Sequence, residues 1–347
     1  MNFIDYFVSK YDTQNQFEIL KNYYQQIDFA LSNNYPVLNF NINHINNIVI
    51  SGLGGSAISG DLIKNLFKDE LKIPLQVNRN YQLPAFVNEN TLVICSSYSG
   101  DTEETISACN EAIIKKSKIV CISTGGKLEK IANEYNLSYI KLPEGFQPRF
   151  ALAVSIATLI KLFELLKIIP SSDQLLIEIS YLLHSRSKEL TVENNIATHI
   201  ALELIGFIPI IYSVCDYNNS IGLRLKSQIN ENSKLHAFHS ELPEMNHNEI
   251  IGWEKHQQKI FNSKVIFVID DDLHPRIKKR FSIISDMIKS SDTEIITLKS
   301  SEKNFKMRLI DLVYLADWIS YYLSIFRKFD PSEIEFIHTL KKKLSEV

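Results

Sequence analysis

The first half of the chain alternates short apolar strands with helical segments, and no other feature of the sequence restricts the fold as strongly. Helical spacing covers residues 103–115 and 127–135. The segments with strand character are residues 48–50, 75–77, 91–95, 118–122 and 138–142. Parallel strands require crossover connections, which are usually helices, so this alternation predicts a parallel sheet flanked by helices. Ligands of such sheets bind at the carboxyl ends of the strands.

The second half of the chain repeats this pattern. Its predicted strands are residues 208–214, 234–238, 265–269 and 294–298, and its predicted helices are residues 221–230 and 275–290. Longer helical stretches cover residues 150–167, 173–205 and 305–325. Because 347 residues exceed one typical core, we predict an α/β fold of two doubly wound, mainly parallel-sheet domains with flanking helices.

Four segments make up the predicted domain organisation. They are a helical arm at residues 1–33, a first domain at 34–170, a second domain with linking helices at 171–300, and C-terminal helices at 301–347. Only the first domain has a turn rich in hydroxyl groups, so we expect that domain alone to bind an anion.

Charge and hydropathy exclude several classes of protein. The chain has 37 Lys and Arg residues against 40 Asp and Glu residues, a formal net charge of -3. Its basic residues are scattered rather than arranged in a stripe, so no nucleic-acid partner is expected. We expect no segment to be long and apolar enough to span a bilayer, and the N-terminus does not resemble a signal peptide. We therefore predict a cytoplasmic protein with no membrane partner.

The four cysteines also suit a cytoplasmic protein. Cys95, Cys109, Cys121 and Cys215 show no Cys-x-x-Cys spacing, and two of them lie in apolar strand segments. We expect buried, reduced thiols rather than disulfides or a metal site.

Hydroxyl groups cluster in the turn between the predicted strand 91–95 and the helix that follows it. The turn contains Gly100 and four hydroxyl side chains, those of Ser96, Ser97, Ser99 and Thr102. An ordinary helix cap needs one hydroxyl. Several hydroxyls beside the free N–H groups of a helix N-terminus suit a phosphate. No Lys or Arg lies in this turn, which favours a single phosphate monoester over a nucleotide polyphosphate.

A glycine-rich turn follows the first predicted strand. Its spacing of Gly52, Gly54 and Ala57 also matches the dinucleotide-binding fingerprint. That fingerprint requires an acidic residue at the end of the next strand, where residues 77–81 offer asparagines and Arg79 instead. NAD is therefore poorly supported, and NADP is supported only weakly. Gly52 also fits a purely structural role in strand–helix packing, whereas the following Gly-Gly-Ser sequence favours backbone approach to a sugar or phosphate.

Cations stand near two predicted helix ends. Arg149 precedes the helix at 150–167, where the helix dipole disfavours a positive charge. This placement suits an arginine that faces an anion, although a surface arginine in a loop explains it equally well. Lys341, Lys342 and Lys343 lie near the end of the last helix, where the dipole stabilises cations without any further function.

The segment from 228 to 249 is the densest polar region of the chain. It contains four candidate bases, Glu231, Glu241, Glu244 and Glu249. It also contains three histidines, His236, His239 and His247. A carboxylate suits abstraction of a carbon-bound proton, and a histidine suits proton transfer between sugar oxygens. Composition alone does not choose among the four glutamates, and the ordinary interpretation of such a segment is a polar surface loop. The spacing of the three histidines gives little support to a zinc site.

These motifs, taken in order, resemble the bifunctional phosphoglucose/phosphomannose isomerases, which contain sugar isomerase (SIS) domains. The resemblance extends from about residue 46 to the end of the chain. Binding modules and regulators share the hydroxyl-rich turn, so the later matches make the resemblance specific. These matches are Pro148, Arg149, Asn230, Glu231, Asn232, Glu241, Leu242, Pro243, Glu244, Asn246, His247, Asn248, Glu249, Asp330, Pro331, Ile337, Leu340 and Lys341.

The resemblance implies two SIS-type domains and a phosphosugar substrate. The residues that would hold the sugar phosphate are Ser56, Ser97, Ser99 and Thr102, with backbone support from Gly54 and Gly55. In the family, the C-terminal helices complete the active site.

The resemblance also implies the catalytic roles. Glu231 would move a proton between C1 and C2, and Arg149 would stabilise the enediolate. His247, contributed by the partner subunit of a homodimer, and Lys341 would assist ring opening. The implied reaction interconverts glucose 6-phosphate, and mannose 6-phosphate, with fructose 6-phosphate, and it needs no metal or redox cofactor.

Two residues depart from the family pattern. Asp101 stands where asparagine is frequent, and Asn80 stands where aspartate is common. A carboxylate beside a phosphate is unfavourable unless it points away or caps a helix. The alternatives are a non-catalytic SIS module that senses a sugar phosphate and an isomerase of a different phosphosugar.

Overall fold

The computed structural model of the protein describes residues 2–36, 38, 40, 44–258, 261–344 and 346. The strands are β1 (Asn47–Ser51), β2 (Leu75–Asn78), β3 (Thr91–Ser96), β4 (Lys118–Ser123), β5 (Ser138–Lys141), β6 (Ile208–Val214), β7 (Phe238–Leu242), β8 (Ser263–Val268) and β9 (Ile295–Leu298). The helices are α1 (Phe3–Tyr11), α2 (Gln16–Lys21), α3 (Tyr23–Ser32), α4 (Gly54–Leu66), α5 (Glu103–Ile114), α6 (Gly126–Glu134), α7 (Leu152–Leu165), α8 (Asp173–Leu190), α9 (Ile196–Glu203), α10 (Asn219–Ser233), α11 (Pro275–Ser290), α12 (Phe305–Phe326) and α13 (Glu335–Leu344).

The chain divides into two compact units. We call residues 22–182 the first-sheet unit, and residues 1–21 together with 183–347 the second-sheet unit. The domain boundaries predicted from the sequence, at residues 33, 170 and 300, divide the chain differently and stay a prediction about its organisation.

The first-sheet unit contains five parallel strands in the order β2-β1-β3-β4-β5. The strands and helices predicted between residues 48 and 142 are all confirmed, with boundaries that move by no more than one residue. Every residue of β3 is buried, as expected for a central strand covered on both faces. The predicted parallel sheet with flanking helices is therefore confirmed.

Three thiols lie in the core of this sheet. Cys95, Cys109 and Cys121 are buried, and the sulfur atoms of Cys109 and Cys121 are 3.9 Å apart. The prediction of a buried thiol is wrong for Cys215, which is exposed. It lies directly after β6, where the chain leaves the buried sheet for a turn.

The second-sheet unit contains four parallel strands in the order β7-β6-β8-β9. The strands predicted at 208–214, 265–269 and 294–298 are confirmed to within two residues. The strand predicted at 234–238 is wrong, because β7 begins at Phe238. Helix α10 continues to Ser233, and Lys234 then adopts a left-handed conformation with φ 50°. The next residues carry the chain around the helix end before it enters the sheet.

Helix α12 is the central helix of the second-sheet unit. By length and composition it could cross a membrane, so the prediction that no segment reaches this limit is wrong. Its most apolar window is nevertheless completely buried within the protein. The Arg224 guanidinium on α10 donates to both Asp317 oxygens on α12, at 2.7 and 3.0 Å, and both side chains are almost inaccessible. This paired charge explains how an apolar helix accommodates a buried aspartate.

A half-buried histidine joins β7 to the neighbouring strand β6. His239 Nε2 and the Ser213 hydroxyl are 2.6 Å apart. A Cβ atom at Gly222 would lie 2.4 Å from the same nitrogen, so glycine lets α10 approach the ring. Burial lowers the pKa of His239 to about 4, assisted by Lys226 and opposed by Glu241 and then Glu249. The ring is therefore neutral in the folded protein at neutral pH.

We expect His239 to make the free energy of unfolding depend on pH. An unfolded histidine titrates near 6.5, whereas folded His239 titrates near 4. The unfolded state binds more protons between these values, so stability falls by about 2 to 3 kcal/mol from pH 7 to pH 4.5. The variant His239→Gln lacks this proton site and should lose correspondingly less stability in urea unfolding over the same range. His199→Gln, at an exposed position, is the control, and equal slopes for both variants would contradict the assignment.

Candidate functional site

The glycine-rich turn and the hydroxyl-rich turn lie at the carboxyl ends of neighbouring strands. Strand β1 pairs with β2 on one side and with β3 on the other. The connections after β1 and β3 therefore leave the sheet in opposite directions, and the crevice between them is where sheets of this order bind ligands. The two turns are therefore neighbours at this edge of the first sheet.

Glycines let the two turns approach closely. A Cβ atom at Gly52 would lie 2.7 Å from the Ser96 carbonyl oxygen and 3.1 Å from the Ser56 Cβ. A Cβ atom at Gly55 would lie 2.7 Å from the Pro148 carbonyl oxygen. Three chain segments therefore meet around the start of α4, and a larger side chain at either glycine would separate them. Gly54 is exposed and adopts φ 52°, which suits glycine.

The predicted phosphate-binding hydroxyls are held by bonds within their own turn. The Ser97 and Thr102 hydroxyls are 2.8 Å apart, and Gly100 N–H donates to the Ser97 hydroxyl at 3.1 Å. Asp101 N–H donates to the Ser99 hydroxyl at 3.3 Å. Ser97 is buried and Thr102 half-buried, while Ser99 is exposed. These hydrogen bonds thus fix the conformation of the turn.

The helices that begin in these turns have no side-chain caps from their N-cap residues. These residues are Leu53 for α4 and Thr102 for α5, and neither side chain makes a capping hydrogen bond. Ser56 lies in the first turn of α4 and is buried. Two helix N-termini of this kind, beside a set of hydroxyl groups, can receive the oxygens of a phosphate.

The carboxylate of Asp101 points away from the hydroxyl-rich turn and towards α6. Its carboxylate accepts a hydrogen bond from Lys127 N–H at 3.0 Å. Lys127 is in the first turn of α6, so Asp101 caps that helix and is stabilised by its dipole. This resolves the difficulty of a carboxylate beside a phosphate.

Arg149 is buried, with 3% of its surface exposed, so the interpretation as a surface arginine is wrong. It lies in the 3-10 helix Pro148–Phe150, and its guanidinium carbon is 5.3 Å from the centre of the Phe150 ring. A Cβ atom at Gly55 would lie 3.6 Å from the Arg149 Cα. The fold thus brings a buried cation beside the glycine-rich turn.

Tyr98 is a structural member of this site that the sequence analysis did not identify. Its hydroxyl donates to the Pro143 carbonyl at 2.8 Å and accepts from Phe146 N–H at 3.0 Å. Burial raises the pKa of Tyr98, opposed by the bond from Phe146. The side chain ties the hydroxyl-rich turn to the loop that leads to Arg149. Its signal in the sequence is an aromatic residue between two serines, which is too common to interpret alone.

In the region that a dinucleotide ribose would occupy, the side chains bind neighbouring protein groups. The Arg79 guanidinium pairs with the Asp61 carboxylate. Asn78 donates from its side-chain amide to the Ser51 hydroxyl at 3.3 Å and to the Asn80 carbonyl at 3.0 Å. The side chain of Asn78 therefore braces the ends of β1 and β2 at this edge of the sheet.

Glu231 lies in the last turn of α10 in the second-sheet unit. It is half-buried and lines a cavity of about 550 Å³. Lys234 and His236 line the same cavity, and its opposite wall comes from Phe329 and residues 333–337. A cavity of this size accommodates a small ligand.

The other three candidate glutamates do not line this cavity and have partners of their own. Glu249 accepts from the Tyr212 hydroxyl at 2.6 Å and also bonds the Ser240 hydroxyl. Glu241 accepts from Asn219 at 3.1 Å, and Glu244 accepts from Asn248 at 3.2 Å. Of the four carboxylates, Glu231 is thus the one that lines this cavity, which composition alone could not indicate.

His247 and Lys341 stand away from this cavity. His247 is exposed in the 3-10 helix Glu244–His247, which follows the carboxyl end of β7. Lys341 is exposed on α13, outside the part of the C-terminal segment that lines the cavity. His239 faces Ser213, so the three histidines considered for zinc are not brought together. Among the residues that the structure describes, no group of three His, Cys, Asp or Glu side chains is placed to hold a metal ion.

This chain is similar to a known protein family, to individual relatives in sequence and to solved structures in fold. The family model described as "Bacterial phospho-glucose isomerase C-terminal SIS domain" matches residues 193–344. The bifunctional phosphoglucose/phosphomannose isomerase of Caldicellulosiruptor bescii is 39% identical over 337 residues, which cover 95% of this chain and 99% of that protein. The D-glucosamine-6-phosphate 4-epimerase of Sulfolobus acidocaldarius is 31% identical over 253 residues, 73% of this chain and 76% of that protein.

A solved structure supports the fold. The C-terminal domain of glucosamine-fructose-6-phosphate aminotransferase from Francisella tularensis superposes with a TM-score of 0.66. The match covers 90% of this chain and 95% of that one, at 15% identity. Together with the family model, this likeness confirms the predicted SIS-type fold.

We expect Gly100→Ala to disrupt the hydroxyl-rich turn. Gly100 adopts φ 74°, and an added Cβ atom would lie 1.8 Å from the Gly125 carbonyl oxygen. The turn must move, so the dissociation constant for 6-phosphogluconate, a phosphorylated sugar acid that cannot isomerise, should rise about tenfold or more in calorimetric titration. The control is Gly206→Ala, where φ is 86° and no atom lies within 4 Å of the added Cβ. Equal affinities for the two variants would contradict a role of this turn in binding.

Proposed function

The chain belongs to the family of bifunctional phosphoglucose/phosphomannose isomerases, and from this premise we propose that it interconverts glucose 6-phosphate and mannose 6-phosphate with fructose 6-phosphate. It is an isomerase with SIS-type domains. The observation that carries the assignment of its chemistry is the position of Glu231 in a cavity of about 550 Å³.

In this proposal Glu231 is the base. Its carboxylate takes the proton from C1 of fructose 6-phosphate, and the electrons of that bond form the C1–C2 double bond while the C2 carbonyl becomes an enediolate oxygen. The hydroxyl proton then moves from O1 to O2, and Glu231 returns its proton to C2. Delivery to one face of C2 gives glucose 6-phosphate, and delivery to the other face gives mannose 6-phosphate.

Arg149 stabilises the enediolate in this proposal. A positive charge held in a fixed position lowers the energy of an anionic intermediate most strongly where water is excluded. The burial of Arg149 supports this role, because a surface arginine would be screened by solvent.

The sugar phosphate is bound, we propose, by the first-sheet unit. Ser97 and Thr102 come from the hydroxyl-rich turn and Ser56 from the first turn of α4. Ser99 is exposed at the same turn. The backbone of Gly54 and Gly55 completes the set. Two observations support this set of phosphate-binding residues: the hydrogen bonds that fix the hydroxyl-rich turn, and the two helix N-termini without side-chain caps.

We propose a homodimer in which the partner subunit's His247 assists ring opening. Within one chain, α10 runs back from the carboxyl end of β6, so Glu231 lies near the start of β7, whereas His247 follows its end. The four residue steps of β7 alone separate these ends by about 13 Å. This separation supports a histidine supplied by a second copy of the chain.

The C-terminal helices, residues 301–347, complete the active site in this proposal, with Lys341 as a further group for ring opening. Residues 333–337, just before and within the start of α13, line the cavity of Glu231. Lys341 is one turn further along α13. Its part in catalysis rests on the family pattern.

We place the enzyme in the cytoplasm, where the reaction links the hexose phosphates of glycolysis and gluconeogenesis. All four cysteines are thiols, and three of them are buried, which suits a reducing compartment. No metal or redox cofactor takes part in the proposed steps, since one carboxylate moves the proton and one guanidinium stabilises the negative charge.

An activity on a different phosphosugar is the second candidate. The relative from Sulfolobus acidocaldarius that is 31% identical is named a D-glucosamine-6-phosphate 4-epimerase. A phosphate site and a base of the kind described here serve other phosphosugars equally well. The substrate is therefore best tested directly.

We expect Glu231→Gln to lower kcat for fructose 6-phosphate by about a thousandfold, because the amide cannot accept the proton from carbon. The dissociation constant for 6-phosphogluconate should stay within about twofold of the native value. Glu244→Gln, at an exposed carboxylate outside the cavity, should retain full turnover. A Glu231→Gln enzyme with more than a tenth of the native kcat would refute the assigned base.

We also expect turnover to continue in excess EDTA. Fructose 6-phosphate should yield both glucose 6-phosphate and mannose 6-phosphate, each measured with its own coupled enzyme or by chromatography. Loss of turnover that returns on adding a divalent metal would contradict the mechanism. Tight binding of 6-phosphogluconate without either product would instead favour a sugar-phosphate sensor or another phosphosugar.

A further inference from the structure

The carboxyl end of α10, which carries Glu231, has unusual partners. The last carbonyls of an α-helix have no partner within the helix. Here the Lys234 ammonium donates to the Asn232 carbonyl at 3.0 Å, and the Arg327 guanidinium donates to the Ser233 carbonyl. Two cations therefore hold the two carbonyls that directly follow Glu231, where the helix dipole also favours positive charge.

Lys234 occupies a backbone conformation that suits glycine. It is the C-cap of α10 with φ 50° and ψ 41°. A left-handed conformation costs a residue with a Cβ roughly 1 kcal/mol relative to glycine. Lys116, Lys167 and Lys328 also have positive φ angles, so the contacts of the Lys234 side chain, and not its backbone conformation, indicate what it does.

That side chain reaches the C-terminal segment. Besides Asn232, the Lys234 ammonium donates to the Asp330 carbonyl. Asp330 in turn accepts from Ser332 N–H at 2.7 Å and from the Thr13 hydroxyl. The turn that starts the last helical segment is thus attached to the helix end of Glu231.

Both walls of the Glu231 cavity depend on this attachment. Lys234 itself lines the cavity on the side of α10. On the opposite side stand residues 333–337 and Phe329, whose ring centre is 5.2 Å from the Arg327 guanidinium carbon. On the face of α10 towards α12, Asn232 donates to the Ser320 hydroxyl at 3.0 Å. The backbone around Glu231 is therefore constrained from two sides.

We propose that Lys234 and Arg327 are positioning residues that hold the Glu231 carboxylate at its working position by binding the Asn232 and Ser233 carbonyls. This inference rests on the proposed role of Glu231 as the base. A displacement of about 1 Å in a catalytic group can lower a rate a hundredfold, so loss of the two contacts should act on the chemical step. The phosphate-binding residues belong to the first-sheet unit and are not touched by them.

Kinetics of Lys234→Met, Lys234→Gly and Arg327→Met test this proposal. For the two Lys234 variants we expect kcat for fructose 6-phosphate to fall about 10- to 100-fold with KM within about twofold. Lys234→Gly relieves the left-handed backbone and Lys234→Met does not, so the two variants should differ in melting temperature. Equal losses of kcat in both would then show that the loss comes from the missing side chain and not from lower stability. Lys234→Arg should recover at least a third of the native kcat. The Lys234→Met/Arg327→Met double variant should lose less than the product of the two single losses, since both contacts restrain one helix end.

The control is Lys226→Met, on the same helix but outside the cavity lining, which should retain the native kcat. Unchanged kcat in Lys234→Met, or equal losses in Lys226→Met, would overturn the proposal. The native enzyme and Glu231→Gln are measured in parallel. Absent turnover in the native protein, or an active Glu231→Gln, would refute the proposed function itself, whereas an inactive Glu231→Gln beside a fully active Lys234→Met would refute the positioning role alone.

Discussion

Parallel strands cannot be joined by tight hairpins, and this requirement places the functional turns of the first-sheet unit. Each strand must be followed by a crossover, so every connection that begins at a carboxyl end emerges at the same edge of the sheet. Because β1 lies between β2 and β3, its turn and the turn after β3 diverge and leave a crevice. Glycine at position 52 lets the two turns approach to van der Waals contact across that crevice. The crevice, where we propose that the sugar phosphate binds, is thus a consequence of strand order combined with one small residue.

In the second-sheet unit, a buried ion pair fixes how two helices pack. Arg224 joins α10 to Asp317 on α12 where neither side chain reaches solvent. Removal of either partner would leave an uncompensated buried charge, which typically costs 3–5 kcal/mol. The packing of α10 on α12 therefore has one register, and it determines where the last turn of α10, with Glu231, can lie. Lys234 and Arg327 bind the same helix at its carboxyl end.

Sequence reasoning succeeded where structure follows from local pattern. Every strand and helix expected between residues 48 and 142 is present, because strand burial, turn glycines and helical spacing are all encoded within a few residues. It failed where a distant partner decides the outcome. The strand at 234–238 was misplaced because α10 continues to Ser233 and Lys234, its left-handed C-cap, binds the distant Asp330 carbonyl. Helix α12 contains enough apolar residues to cross a membrane, yet its surroundings make it a core helix. The role of Tyr98 could not be inferred from its neighbours in the sequence, since its partners lie 45 and 48 residues away.

The sequence by itself determined the two parallel sheets, the glycine-rich and hydroxyl-rich turns at the strand ends, and the kinds of side chain available for chemistry. These depend on hydrophobic periodicity and on backbone geometry, which act over short stretches of chain. Only the tertiary structure decided that Glu231, rather than Glu241 or Glu249, lines a cavity, and that Asp101 caps a helix instead of facing the turn. The reason is physical. The exposure and charge environment of a side chain depend on residues distant in the chain, such as 333–337 opposite Glu231, and those residues are brought near only when the core is packed.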